Sequence, residues 1–309
     1  VAFGNGLFVA VSSDGTGNRV MRSADGVNWS IGRPAADLNW NAVTYANGLF
    51  VAVASGASPV MTSPDGINWT QRAGVSGAWY SVTYGNGLFV AVGGDGYTEV
   101  MTSPDGINWT ARAQSGGAAV SYGGHINIWT GVTYGNGRFV AVGLPGDYVM
   151  ISPDGITWTI QKSASPGPWS SVAYGNSLFV AVSPSSSVMV SPDGSNWLIP
   201  QSPPGTWYGV TYGGGLFVAV GDQVVMTSPD GINWTSRTPA SPNTWEAITF
   251  GDGRYVAVSA NGTGNRAMVS GSLAATNMRV ISDTSIVTTT RGGVGPAGVF
   301  VIAPGGINP

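Results

Sequence analysis

One text, written seven times, constrains this chain more than any other feature. The segment Val82–Gly93, VTYGNGLFVAVG, recurs from end to end. Its aromatic before the glycine falls at Phe3, Tyr45, Tyr84, Tyr134, Tyr174, Tyr212 and Phe250, at intervals of 38 to 50 residues. A unit of this size cannot bury its apolar face alone, so like units have to stack on one another. The period within the unit decides what stacks. Apolar residues come in short unbroken bursts such as Leu88–Val92, without helical spacing, as in strands covered on both faces. Four-stranded propeller blades repeat every 40 to 50 residues or so. The seven marks therefore predict an all-β chain, a seven-bladed β-propeller over residues 1–272, with almost no helix.

Each unit divides into four strands. Strand A (Trp79–Tyr84) is followed by a Gly-Asn-Gly turn, where Asn-Gly reaches the positive φ angles of a tight hairpin. Strand B is Leu88–Val92, strand C is Val100–Ser103, and after a Pro-Asp-Gly turn strand D takes in Asn108–Thr110. The large side chains follow this register. Six tryptophans open strand A (Trp40, Trp79, Trp129, Trp169, Trp207, Trp245) and the other six follow the Asp-Gly turns (Trp29, Trp69, Trp109, Trp158, Trp197, Trp234). Seven of the eight methionines hold one place in strand C, which reads as packing. Composition agrees. Charged residues make up 9% of the chain, with a single lysine, Lys162, and two glutamates, Glu99 and Glu246. Helical proteins spread such residues over their exposed faces, and nucleic-acid surfaces need clustered Lys and Arg, so composition argues against both. Without cysteine there is no disulfide framework, and no apolar run approaches the ~20 residues of a membrane-spanning helix.

The segment Ser63–Trp69, SPDGINW, resembles the Asp-box of sialidase-type and related propellers. The same box, with small changes, stands at Ser23–Trp29, Ser103–Trp109, Ser152–Trp158, Ser191–Trp197 and Ser228–Trp234. It departs from the family in one respect: Asp and Trp are four residues apart rather than five. The whole unit is also similar to propeller repeats of phage tail proteins and bacterial exported proteins. The resemblance implies structural roles for Asp25, Asp65, Asp105, Asp154, Asp193 and Asp230, each accepting backbone N–H groups in its turn with a Trp packed beneath. The seventh unit has no such box after Ser270, so its outer strand has to come from the segment near Asn277–Ile281 or from residues before Val1. Residues 273–309 resemble half of an immunoglobulin-like IPT/TIG domain, with strands at Ser285–Thr290 and Gly298–Ala303. A full domain of that type needs about 100 residues, so the chain reads as a segment of a longer polypeptide. Units 1 and 7 share the loop text Gly-Thr-Gly-Asn-Arg (15–19 and 262–266) and are expected to be neighbours.

The candidate chemistry is sparse. The sialidase resemblance implies an arginine cluster, a Tyr–Glu pair and an Asp acid. The arginines instead recur after the box Trp (Arg72, Arg112, Arg237), where charge protects an edge strand, and Glu246 reads as an ordinary solvated carboxylate. His125 has no second histidine with which to bind a metal. Asp95 and Glu99 offer two carboxylates to a Ca²⁺ ion, which takes six to eight oxygens, but their spacing matches no known loop and reads as a solvated turn. No cofactor is expected. The reading is therefore non-enzymatic: an extracellular, cell-surface or virion adhesion module that binds a surface glycan or protein. A structural spacer contacting neighbouring subunits is the alternative, and a glycan-processing enzyme is the weakest. The A–B and C–D turns are nearly invariant, whereas the B–C and D–A loops differ in every unit, which places recognition on the loop face. Tyr97, Tyr122, His125 and Tyr148 form the expected ligand-binding patch there.

Overall fold

Turn chemistry sets where each strand ends. In all seven A–B turns both central residues have positive φ, from Asn5 (48°) and Gly6 (74°) to Asp252 (48°) and Gly253 (70°). That geometry matches the twist of the flanking strands. The computed structural model describes residues 1–94, 99–112, 128–262, 266–270 and the backbone of 278–281. The first unit holds β1 (Ala2–Gly4), β2 (Leu7–Val11), β3 (Val20–Ser23) and β4 (Ser30–Gly32). The second holds β5 (Asn39–Ala46), β6 (Leu49–Gly56), β7 (Val60–Ser63) and β8 (Thr70–Arg72). The third holds β9 (Gly77–Gly85), β10 (Leu88–Gly93), β11 (Val100–Ser103) and β12 (Thr110–Arg112). The fourth holds β13 (Ile128–Gly135), β14 (Arg138–Leu144), β15 (Tyr148–Ser152) and β16 (Thr159–Lys162), and the fifth β17 (Ser171–Gly175), β18 (Leu178–Val182) and β19 (Val188–Ser191). The sixth holds β20 (Trp207–Gly213), β21 (Leu216–Gly221), β22 (Val225–Ser228) and β23 (Thr235–Arg237). The seventh holds β24 (Trp245–Gly251), β25 (Arg254–Ser259), β26 (Ala267–Ser270) and β27 (Met278–Ile281). Among the described residues there is no helix.

Within every unit the strands form an antiparallel meander in chain order, but the sheets are not all separate. Units two and three share one eight-stranded sheet, because the end of β6 pairs with the start of β9 at Ser55–Ala78 and Gly56–Gly77. Glycine at both members of the last pair lets the two backbones meet there. One strand boundary and one strand count also differ from expectation. The outer strand begins at Thr110, not Asn108, because the backbone and side-chain amides of Asn108 bind Asp105 and hold it in the turn. The fifth unit has three strands only. In the seventh, the missing outer strand is supplied by β27, paired with β26 from Ala267–Ile281 to Ser270–Met278.

The core lies between units rather than within them. Val51, Val53 and Val60 of the second unit pack on Trp79, Phe89, Ala91 and Met101 of the third. Val218, Val220 and Val225 of the sixth pack on Trp245, Tyr255 and Met268 of the seventh. All six strand-A tryptophans are at most 1% exposed, which explains why Trp and Met keep one register. The innermost strands lie side by side in sequence, β1 on β5, β5 on β9 and onward to β20 on β24, and β24 lies against β1. The contact at that last junction repeats the others. A side chain at Gly4 would collide with the Tyr45 ring, and one at Gly251 would collide with the Phe3 ring.

Candidate functional site

The Asp-Gly turns are saturated with donors. Asp105 accepts the backbone N–H groups of Ile107 (2.8 Å) and Asn108 (2.8 Å), the Asn108 amide (2.7 Å) and the Ser103 hydroxyl (2.9 Å). Asp25, Asp65, Asp193 and Asp230 repeat this set, and in the fourth unit Asp154 accepts the backbone N–H groups of Ile156 and Thr157. In Asp65, Asp105 and Asp230 the N–H of the residue three ahead is the main reason that the carboxyl stays well below the usual carboxylate range. Beneath each turn the indole donates to the turn glycine, as Trp109 does to Gly106 (3.0 Å). The A–B turns dock on the next unit's Asp-Gly turn: Asn5, Asn136 and Asn176 donate to the carbonyls of Pro64, Pro192 and Pro229. Carboxylates occupied in this way hold the framework together.

The opposite end of the units has a different character. There strand A opens with its Trp, and in four units the ladder slips at the next residue: Asn41, Thr130, Tyr208 and Glu246 are bulged, with Tyr80 similarly placed in the third unit. A bulge re-aims a side chain. Asn41 (2.8 Å) and Thr130 (2.6 Å) use that freedom to donate to the Trp carbonyl of the next unit, as does Ser170 (2.9 Å) at the same place in the fifth. Tyr208 and Glu246 stand close enough to interact electrostatically, and both feel Asp222 of the adjoining loop. Glu246 is exposed, yet the protein around it withholds enough water to raise its pKa, and the charge of Asp222 raises it further. Partial burial, then Glu246 and Asp222, raise the Tyr208 pKa. Asp222 is fixed by its N–H to the Thr206 carbonyl (2.9 Å) and by the Thr244 hydroxyl (3.0 Å). Next to it Gln223 holds φ of 59° while donating to Asn243.

Three of the four residues expected to bind ligand, Tyr97, Tyr122 and His125, lie outside the described residues, as does Asp95. Tyr148 opens β15 half-buried, opposite Lys162 in register, and packs on the cluster that contains Trp129, Phe139 and Met150. Glu99 is not in a solvated turn: it is 3% exposed, and its Oε2 accepts the Trp129 indole at 2.6 Å. Nor is Glu246 an ordinary solvated carboxylate, because partial burial and then the charge of Asp222 raise its pKa. Tyr208 and Asp222 went unnoticed in the sequence. The signal was available at the strand-A position after Trp, where Tyr208 and Glu246 occupy consecutive units.

The meander sheets, the core between them and the succession of innermost strands define a protein of the β-propeller class. Solved structures with the same arrangement are YCF48 bound to D1 peptide and virginiamycin B lyase from Staphylococcus aureus. YCF48 superposes with a TM-score of 0.58 at 16% identity, over 80% of this chain and 83% of that one. The lyase gives 0.64 at 12% identity, over 77% and 82%. The computationally designed Ika8 protein gives 0.56 at 13% identity, over 83% and 81%. At such identities the likeness is one of fold. No protein-family model matches the chain, and no curated protein matches it in sequence.

Proposed function

We propose that this chain is a seven-bladed β-propeller that works as a non-enzymatic recognition module on an extracellular or virion surface, binding a cationic segment of a partner protein on its variable-loop face. The blade count rests on seven copies of the A–B–C meander and on β24 lying against β1. One observation carries the binding reading. At the position where Asn41, Thr130 and Ser170 bond to the next unit, Tyr208 and Glu246 instead stand beside Asp222. Among the described residues no cation of this chain pairs with either carboxylate, since the ion pairs are Arg19–Asp37 and Arg254–Asp252. A tyrosine face with two nearby carboxylates suits a lysine or arginine side chain. That YCF48 has been solved with a bound peptide fits a protein partner. The arginines favour binding over sialidase-like chemistry: Arg72, Arg112 and Arg237 fold back on Thr62, Thr102 and Thr227 and leave no substrate clamp.

The test is binding of the whole chain to arrays of lysine- and arginine-bearing peptides and to a glycan array. Glu246→Gln with Asp222→Asn is expected to weaken peptide binding at least tenfold and to remove its salt dependence. Glycan binding that survives this change but is lost with Tyr148→Ala would return the ligand to the sugar class. Binding unaffected by either change would end the reading.

A further inference from the structure

The outer rim differs at one unit. In the third unit the outer strand bonds to β11 through Thr102–Thr110 and Val100–Arg112, and the Arg112 guanidinium returns to the Thr102 hydroxyl at 2.7 Å. The second and sixth units repeat this latch with Arg72 and Arg237. The fourth ends its outer strand on Lys162, and in the first Arg33 follows the exposed Ile31. In the fifth unit all three elements change together. Val190 replaces the threonine, Leu198 replaces the Thr or Ser with which the other outer strands begin, Ile199 follows it where the first and fourth units also have Ile, and Pro200 stands where the arginine would be. Proline has no N–H to give β19, so pairing stops after one bridge, Val190–Leu198, with bonds of 2.8 and 2.9 Å. Leu198 is 71% and Ile199 47% exposed, and no charge stands beside them on this edge.

We infer that this edge is a strand-addition site, which takes an extended, uncharged segment of a partner protein with apolar side chains at alternate positions. Three observations select that occupant. Leu198 spends both backbone groups on Val190, so those of Ile199 point away from β19, and among the described residues they have no partner. The two side chains stand on opposite sides of the sheet. Val190, opposite Leu198, belongs to the cluster shared with the sixth unit, whereas Trp197, two before Ile199, belongs to the one shared with the fourth. A flat surface can cover one of them, but an added strand covers both. The exposed area of the pair is also small, on the order of 200 Å² against roughly 800 Å² per partner in a stable association. That is too little for a second copy docking by side chains alone and is suited to backbone pairing.

The probe is a fluorescent heptapeptide of alternating threonine and valine, titrated against the full chain. A second version carries N-methyl groups on alternate amides. The first peptide is expected to bind and the methylated one to bind at least tenfold more weakly. Leu198→Thr with Ile199→Gln, which restores the Thr70-Gln71 pair of the second unit, should weaken the first peptide by a similar factor at unchanged melting temperature. Equal binding of the two peptides, equal binding to the variant, or no association up to about 1 mM peptide would overturn the proposal. So would a wild-type dimer in sedimentation that the double variant dissolves, because the edge would then belong to a second copy.

Discussion

At the scale of the residue, the repeated turns make stability depend on single groups. Asp105 is ionised and bonded in the folded chain, with a pKa below the value near 4 that it has when unfolded. Its contribution is therefore complete above about pH 4 and drains away as the pH falls from there toward the depressed folded value. Asp105→Asn is expected to cost about 1–2 kcal/mol at neutral pH. The gap from wild type should narrow on acidification below about pH 4 in denaturant titrations; a gap constant with pH would contradict the bonding described. Ser177 offers the opposite sign. It holds φ of 60° where the A–B turns of the other six units have glycine. A side chain in that region costs about 1 kcal/mol, so Ser177→Gly should stabilise the chain by about 0.5–1 kcal/mol, with no change in the denaturant slope.

At the scale of the element, the junction between the sixth and seventh units shows how a lost contact is replaced. The seventh unit has no SPDG-type box after its third strand for an A–B turn to dock on, and the sixth has Gly214 in place of the docking asparagine. Tyr255, standing where the other units have Phe, donates across the junction to the carbonyls of Gly213 and Leu216. Burial, with a smaller effect of Tyr212, lifts its pKa to about 12, so it remains a donor throughout the working range. Tyr255→Phe should cost about 1–2 kcal/mol, whereas Phe217→Tyr in the preceding unit should gain nothing. Calorimetry of the pair checks both. The meander, its turns and the Trp and Met register were legible in the sequence because each is enforced locally, by positive φ or by a repeated packing position. The buried Glu99 and the joining of β6 to β9 were not, since both depend on which loop meets which across units. Of the candidate site, the loop face could be read from its variability. The meeting of Tyr208 with Asp222 could not, because only the fold brings a strand residue and a loop residue together.

At the scale of the molecule, the junction between β24 and β1 is the one that chain connectivity does not enforce. Arg254 donates there to the Asp25 carbonyl at 2.8 Å, as Arg138 does to the Asp193 carbonyl at 2.8 Å between the fourth and fifth units. Most units have leucine at this place, so Arg254→Leu and Arg138→Leu remove the same bond at two points of the circuit. Each should lower stability by about 1 kcal/mol, or a few degrees in melting temperature. A loss at Arg138 alone would mean that the circuit is open in solution. The glycine-on-ring contact between neighbours, repeated at Gly251 and Phe3, has a further consequence. In a circular mechanism each part adds its own angular error, and the last gap receives the sum. Because the last contact here matches the first, that sum is close to zero. A small change of tilt at any one unit, far from the meeting of the ends, would therefore be felt as misfit there, and the tolerance of every repeat is set by the circumference rather than by its own neighbours.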